Sequence, residues 1–252
     1  FFVPAFFVFV IGTQERIAKL LGVPMESVRL ETVSLNHCGA GTAVYLGGKN
    51  VLPKLLSPES LDQAEALDPW VKNYRPIIEL LGAIPNDYLQ YFFYRDRKFQ
   101  ELLKAEQTRR EACQEIETRL LSYYADPRNN AVPAMLAERG GHLYSEAAIA
   151  LIASLSGAEP GHHVIDVQNN GVLDFLGNAS VIEASCFVSR GRIERNPIES
   201  KPNSVLTSLV SSVKAYETLT VQAALSGDRK TALRALACNP ITADLDKAAP
   251  CL

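Results

Sequence analysis

Three features of this sequence predict an α+β fold of mixed strands and long helices, organised as one domain over residues 1–252. Strand-like and helix-like blocks are both present, but they do not follow the regular βαβ alternation of a parallel, doubly wound sheet. Charge-separated helical periodicity fills residues 99–124 and returns at 205–238. The composition, 47% hydrophobic and 21% charged, is that of a globular chain with enough apolar surface to bury a core. No internal repeat or low-complexity stretch divides it.

Taken in order, the opening FFVPAFFVFVIG reads as a buried strand, because it is apolar but shorter than the roughly 18 residues a membrane span needs. TQERIAKLLG then predicts a short helix. Thr13 caps it, Glu15 suits its first turn, Ile17, Leu20 and Leu21 share a face, and Gly22 stops it. ESVRLETVSL and GTAVYLGG are β-branched or aromatic and bounded by glycine, which predicts two strands around the connection SLNHCGAG, with His37 at a strand end. In residues 57–76, prolines at 58, 69 and 76 favour short helical turns and loops over any long element.

From Pro85 the pattern turns helical. NDYLQYFFYRD opens it, and KFQELLKAEQTRREACQEIETRLLSYYAD continues as one long helix or two end to end. YSEAAIALIASLSG is apolar almost all round, which predicts a central helix. HHVIDVQNNGVL and SVIEASCFVSRGRI read as strands, and SSVKAYETLTVQAALSGDRKTALRALACNP as a helix pair broken at Gly227 and Asp228.

Bulk properties exclude several classes. A net charge of −3, from 25 basic and 28 acidic residues, gives no attraction to nucleic acid, and no Lys/Arg block suggests a phosphate-backbone footprint. No membrane segment or signal peptide is expected, since the apolar opening lacks a basic flank and an A-x-A-like cleavage site. The 5 cysteines are scattered and never form a C-x-x-C pair, so a disulfide framework or structural zinc site is disfavoured and a reducing, cytoplasmic setting expected. Neither G-x-G-x-x-G nor G-x-x-x-x-G-K-[ST] occurs, so no phosphate cradle for a nucleotide is visible.

The candidate chemistry is sparse. His37 becomes a persuasive metal ligand only with partners. Cys38 is a poor one, because neighbouring side chains on an extended segment point to opposite faces. Tyr88 and Tyr91 share a helical face, which ordinarily means packing; the sharper alternative makes Tyr88 a phenolic base. Tyrosine titrates near pH 10 in water, so that role needs a cation beside the phenolate. Arg109 and Arg110 could supply it, or could simply form a solvated helix face. Asn169, Asn170 and Gly171 are first a turn, with a sugar-binding loop as the minority alternative. His162 and His163 read as surface residues at a turn, and no Ser/His/Asp nucleophile elbow is found.

Six stretches in sequence then resemble one family. They are IGTQERIAKLLGVPMESVRLETVSLNH, VYLGGKNVLPKLL, IPNDYLQYFFY, RGGHLYSEAAIALIASL, VIDVQNNGVL and VKAYETLTVQAALSGDRKTALRALACNP. Together, from about Ile11 to Asp246, they look like the C-terminal part of glycoside hydrolase family 4, most of all its 6-phospho-β-glucosidases. This family stands apart from two-carboxylate glycoside hydrolysis.

The resemblance implies a domain like the C-terminal half of lactate or malate dehydrogenase, without the NAD-binding Rossmann domain that precedes it in the family. It implies NAD and a divalent metal, commonly Mn2+, as cofactors. The implied substrate is a phosphorylated disaccharide or aryl glucoside, split by oxidation at C3, deprotonation at C2 and elimination. By motif, His37 falls on the metal-binding histidine and Tyr88 on the base. Arg109 falls near a substrate arginine, one residue out of register, and Asn36, Asn169 and Asn170 are weaker sugar-site candidates. One departure matters: the family's metal-ligand cysteine, in a CNVPIG-like segment with an asparagine beside it, is replaced where Phe7 and Val8 stand. The alternative is therefore a non-catalytic scaffold that keeps the fold and has lost the metal site. The broad apolar helical faces predict a homodimer or homotetramer.

Overall fold

The computed structural model describes residues 8–139 and 144–252. Its centre is a 7-stranded sheet in which every pairing is antiparallel. In chain order the strands are β1 (Val28–Leu35), β2 (Cys38–Leu46), β3 (Lys49–Asn50), β4 (Ile84–Pro85), β5 (Gly161–Gln168), β6 (Val181–Ser189) and β7 (Arg192–Arg195). They lie in the order β3-β2-β1-β6-β5, with β4 beside β2 and β7 beside β6. The absence of βαβ alternation thus translates into an antiparallel sheet with separate helical blocks, the α+β fold expected.

Alternation along β1 divides the core. Val28 and Leu30 join a smaller apolar cluster with Val10 and Ile17 of the first helix, α1 (Val8–Leu21). Val33 and Leu35 join the larger one. There they meet Ile165 and Ile182 of the sheet and residues from helices that follow. The next helices are α2 (Leu52–Leu55), α3 (Pro58–Leu67) and α4 (Pro69–Leu81). Pro58 and Pro69 occupy the first helical turn, where a missing N–H costs nothing.

Pro76 corrects the expectation of short turns, because it lies inside α4. Val71, Tyr74, Ile77, Ile78 and Leu81 form one buried stripe on that helix, and burial at roughly 25 cal/mol per Å2 over several large side chains exceeds the ~3 kcal/mol an internal proline costs.

Two further expectations are revised at the N-terminal end. The opening apolar run is helix from Val8 onward, its first seven residues lying outside the described ones. Thr13 is an interior residue, 2% exposed, and not a cap. Val10, Thr13 and Ile17 are all buried at i, i+3, i+7 spacing, so helical period outweighs local strand propensity.

The segment after Pro85 forms three helices, α5 (Leu89–Phe93), α6 (Arg95–Lys104) and α7 (Arg109–Tyr124). The restart at α7 is marked by a capping box between Thr108 and Glu111.

After the short α8 (Met135–Arg139) comes α9 (Tyr144–Ser156), which buries only Leu151 and Ser154. It is a peripheral helix with Ile149 and Ile152 at 67% and 63% exposure, and not the central one expected. The terminal pair α10 (Ser204–Ser226) and α11 (Arg229–Cys238) breaks at Gly227 as expected, and α12 (Leu245–Ala248) follows. None of the described helices is long and apolar enough to cross a membrane.

The β1–β2 hairpin closes very tightly. Gly39 stands opposite Ser34, and a Cβ built on it would fall 2.5 Å from the Ser34 Cα. The backbone there has no flexible group to give way. Gly39→Ala should therefore destabilise the fold by about 1–3 kcal/mol, read as a lower urea midpoint with an unchanged slope; a shift below ~0.5 kcal/mol would disprove the close approach.

Candidate active site

The site begins with a two-residue connection. Leu35 pairs with Cys38, leaving Asn36 and His37 alone at the tip of the β1–β2 hairpin. So tight a reversal needs positive φ, and His37 adopts 61°. A non-glycine residue in that region costs roughly 1–3 kcal/mol, and such strain is found where a side chain is needed at that place. Both turn side chains are exposed.

A second segment comes to meet them. β4 pairs with β2 at Ala40 and Pro85, and the next residue, Asn86, donates its backbone N–H to Gly39 O at 2.9 Å. The Asn86 side chain, 3% exposed, then accepts from Tyr88 N at 2.9 Å. From α4, Trp70 Nε1 donates to Asp87 Oδ1 at 2.6 Å and Tyr74 OH donates to Asp87 O at 2.7 Å, with the two rings stacked 4.5 Å apart. Residues 86 and 87 are thus fixed from both sides.

Held this way, the Tyr88 ring lies 4.2 Å from the His37 ring, tilted by 40°. Tyr91 continues the row, 6.1 Å beyond Tyr88. Tyr88 remains 47% exposed. The imidazole and the phenol named from the sequence, 51 positions apart in numbering, therefore open onto the same solvent-facing surface.

Electrostatics favour a neutral pair of groups at the hairpin. Partial burial lowers the His37 pKa, so the imidazole is uncharged near neutrality and has a free lone pair. Burial, with the charges of Glu217 and Glu183, pushes the Cys38 thiol up to about 12, and its side chain is sealed in the core. Among the described residues no group of three or more His, Cys, Asp and Glu gathers in a way that could hold a metal ion. His37 supplies one donor where three or more are needed, so the described residues do not by themselves fit a divalent metal.

The remaining candidates separate. Asn36 shares the exposed turn with His37. Arg109 stands at the start of α7, where its Nη2 donates to Glu138 O at 3.2 Å and Arg139 O at 2.8 Å. It makes no hydrogen bond to the His37–Tyr88 pair. Asn169 is fully buried; its amide donates to Leu173 O and Leu176 O at 2.9 Å and to Gly177 O at 3.2 Å, and its Oδ1 accepts from Leu173 N at 2.7 Å. With its amide donors spent on its own loop and its side chain fully buried, Asn169 is a loop staple and is not presented to a sugar. Asn170 takes positive φ, 42°, at the exposed turn, which bears out its ordinary reading. His162 and His163 lie in β5 and not at a turn, and His163 Nε2 is 2.8 Å from Ser154 Oγ.

Residues 33–242 match the family 4 glycosyl hydrolase C-terminal domain, a span that contains both His37 and Tyr88. The chain belongs to glycosyl hydrolase family 4. It is 30% identical over 240 residues to a probable 6-phospho-beta-glucosidase of Bacillus subtilis, covering 92% of this chain and 53% of the relative. It is 30% identical over 232 residues to 6-phospho-beta-glucosidase BglT of Thermotoga maritima, covering 92% and 54%. A structure of the Thermotoga maritima 6-phospho-beta glucosidase with manganese, NAD+ and glucose-6-phosphate superposes with a TM-score of 0.84 at 27% identity, covering 98% of this chain and 58% of that one. The chain thus spans about half the length of the curated relatives it matches.

If the strain at position 37 is tolerated for the sake of the ring, His37→Gly should trade the ring contact, about 0.5–1.5 kcal/mol, against release of a comparable strain. Its stability should stay within about 0.5 kcal/mol of wild type, while His37→Ala, which loses the ring without relieving φ, should lose about 1 kcal/mol. Urea denaturation of both variants checks this; a glycine variant that loses more than the alanine one would make His37 a folding residue.

Proposed function

We propose that residues 1–252 act as a single substrate and oligomerisation domain of a 6-phospho-β-glucosidase of family 4. The contact between the His37 and Tyr88 rings carries this reading. In it Tyr88 is the base that takes a proton from a sugar carbon, and His37 and Asn36 orient the sugar from the hairpin tip. The NAD+, manganese and glucose-6-phosphate bound in the Thermotoga maritima structure support NAD and a divalent metal as the whole enzyme's cofactors and a phosphorylated sugar as its substrate; in this reading that sugar is a phosphorylated disaccharide or aryl glucoside. Among the described residues His37 would be the ligand to that metal, and Arg109 and Asn170 would lie outside the reacting centre. Doubly charged sugar phosphates do not cross membranes unaided, which supports a cytoplasmic setting.

Partners in the assembly are argued from exposed apolar side chains. Leu102, Leu103 and Leu121 are 56%, 63% and 64% exposed, and Val221 and Leu225 of α10 are 59% and 85%. Faces of this kind favour a homodimer or homotetramer, which light scattering resolves.

A second reading, a scaffold without catalysis, is favoured because no group of three or more His, Cys, Asp and Glu that could hold a metal gathers among the described residues. Manganese titration by calorimetry separates the two. Heat that disappears in His37→Ala supports the enzyme, and no heat in the wild-type chain supports the scaffold.

Alone, the chain should not turn over an aryl 6-phospho-β-glucoside supplied with NAD and manganese. Joined to the N-terminal half of the Thermotoga maritima relative it should, and Tyr88→Phe should then reduce kcat by about 10^2–10^4. A joined enzyme whose rate is indifferent to Tyr88→Phe would remove the base from Tyr88.

A further inference from the structure

Among the described residues Glu183 is a poorly accommodated charge-bearing side chain. It sits in the middle of the sheet at 1% exposure, with no hydrogen-bond partner for its Oε1. Its Oε2 lies 2.6 Å from Ser34 Oγ. Ser34 is itself fully buried, and its Oγ is also 3.0 Å from Leu35 O. A serine hydroxyl has a single hydrogen, so it cannot serve both oxygens fully. An ionised Glu183 would have one oxygen bare in the core and the other competing with a carbonyl for that hydrogen. A protonated Glu183 resolves the count: its own O–H donates to Ser34 Oγ, Ser34 donates to Leu35 O, and only a neutral carbonyl oxygen stays unpaired.

The position of this pair gives the proton a consequence. β1 registers with β6 at one residue pair, Ser34 opposite Glu183. That pair joins the β1–β2 hairpin to the β5–β6–β7 half of the sheet, three residues before His37. We propose that Glu183 is a neutral carboxylic acid in the folded chain and acts, through Ser34 and the Leu35 carbonyl, as a pH-sensitive latch that positions the hairpin carrying His37.

The surrounding charges agree in direction. From β5, Asp166 faces Glu183 across the register. From α10 come Glu217 and Lys214, the latter bonded to Glu217 and, at 2.7 Å, to Val181 O. From β2, Cys38 is a thiol throughout this range. Burial first, then Asp166 and Glu217, raise the Glu183 pKa from an ordinary 4.5 to about 8, against the lowering influence of the Ser34 hydroxyl. Below about 4.5 folded and unfolded chains both hold the proton. Between the two values the unfolded chain releases it and the folded chain keeps it, so stability falls as pH rises, until the folded acid ionises near 8.

The test compares urea unfolding of wild type and Glu183→Gln across that window. The amide can donate to Ser34 Oγ but cannot ionise. Wild type should lose one proton's worth more stability, about a tenfold fall in the folding equilibrium constant per pH unit, while Glu183→Gln stays flat by comparison and is the more stable variant near pH 8. In wild type the His37–Tyr88 ring nuclear Overhauser effect should weaken above the transition, and in Glu183→Gln it should persist. Equal pH slopes, or a glutamine variant less stable at neutral pH, would overturn the proposal. If Glu183→Gln does not fold, isotope-edited infrared spectra of wild type and Ser34→Ala decide. A protonated-carboxyl band at neutral pH that shifts on removal of the serine supports the latch, and an absent or unshifted band overturns it.

Discussion

The site depends on one constraint more than any other, the backbone hydrogen bond from Asn86 to Gly39 O at 2.9 Å. It joins two segments with no sequence relation, a hairpin tip and a helix entry, at the point where each presents a ring. The rest is arranged around it. Gly39 must lack a side chain to let β2 approach Ser34, Pro85 must pair with Ala40 to aim the following N–H, and Asn86 must be buried so that its side chain can hold Tyr88. Since each of these is backbone geometry held by packing on both sides, the ring contact is preorganised and costs little ordering when a ligand arrives.

The same economy explains how the hairpin itself is supported. A two-residue turn with positive φ at a histidine is strained, and strain persists only where surrounding structure over-determines it. On one side the β1–β2 pairing runs from Val28–Leu46 to Leu35–Cys38. On the other, Glu31, 3% exposed, accepts from Glu199 N at 3.1 Å and from Ser200 N at 2.8 Å, tying β1 to the lead-in of α10. Only the contact with β6 is narrow, and that is where the buried acid lies.

What could be read in the sequence follows from the range of the interactions involved. Local period and punctuation gave the hairpin, the strand pair at 161–189 and the helix break at Gly227. Likeness to a family gave His37 and Tyr88, which composition and spacing alone left as a loop histidine and a packing tyrosine. Asn86, Asp87 and Trp70 were missed because their roles are partnerships over 13 to 47 positions of sequence, which no window detects; the nearest signal was an asparagine two residues before the tyrosine at a helix entry. Asn169 was misread for the opposite reason. An asparagine after a strand looks alike whether its amide faces solvent or folds back on its own loop, and only the closure of residues 173–177 over it decides.

The helical errors have a physical direction as well. Local propensity suggested strand at the start, short turns around the prolines and a buried helix at 144–156. In each case burial pattern prevailed over composition: α1 and α4 exist because one stripe of each meets the sheet, and α9 is left half open because a second apolar stripe finds no cover among the described residues. The same consideration bears on the chemistry. A neutral imidazole beside a phenol can orient a sugar hydroxyl and stand ready for a proton, but without further donors it cannot hold a divalent cation.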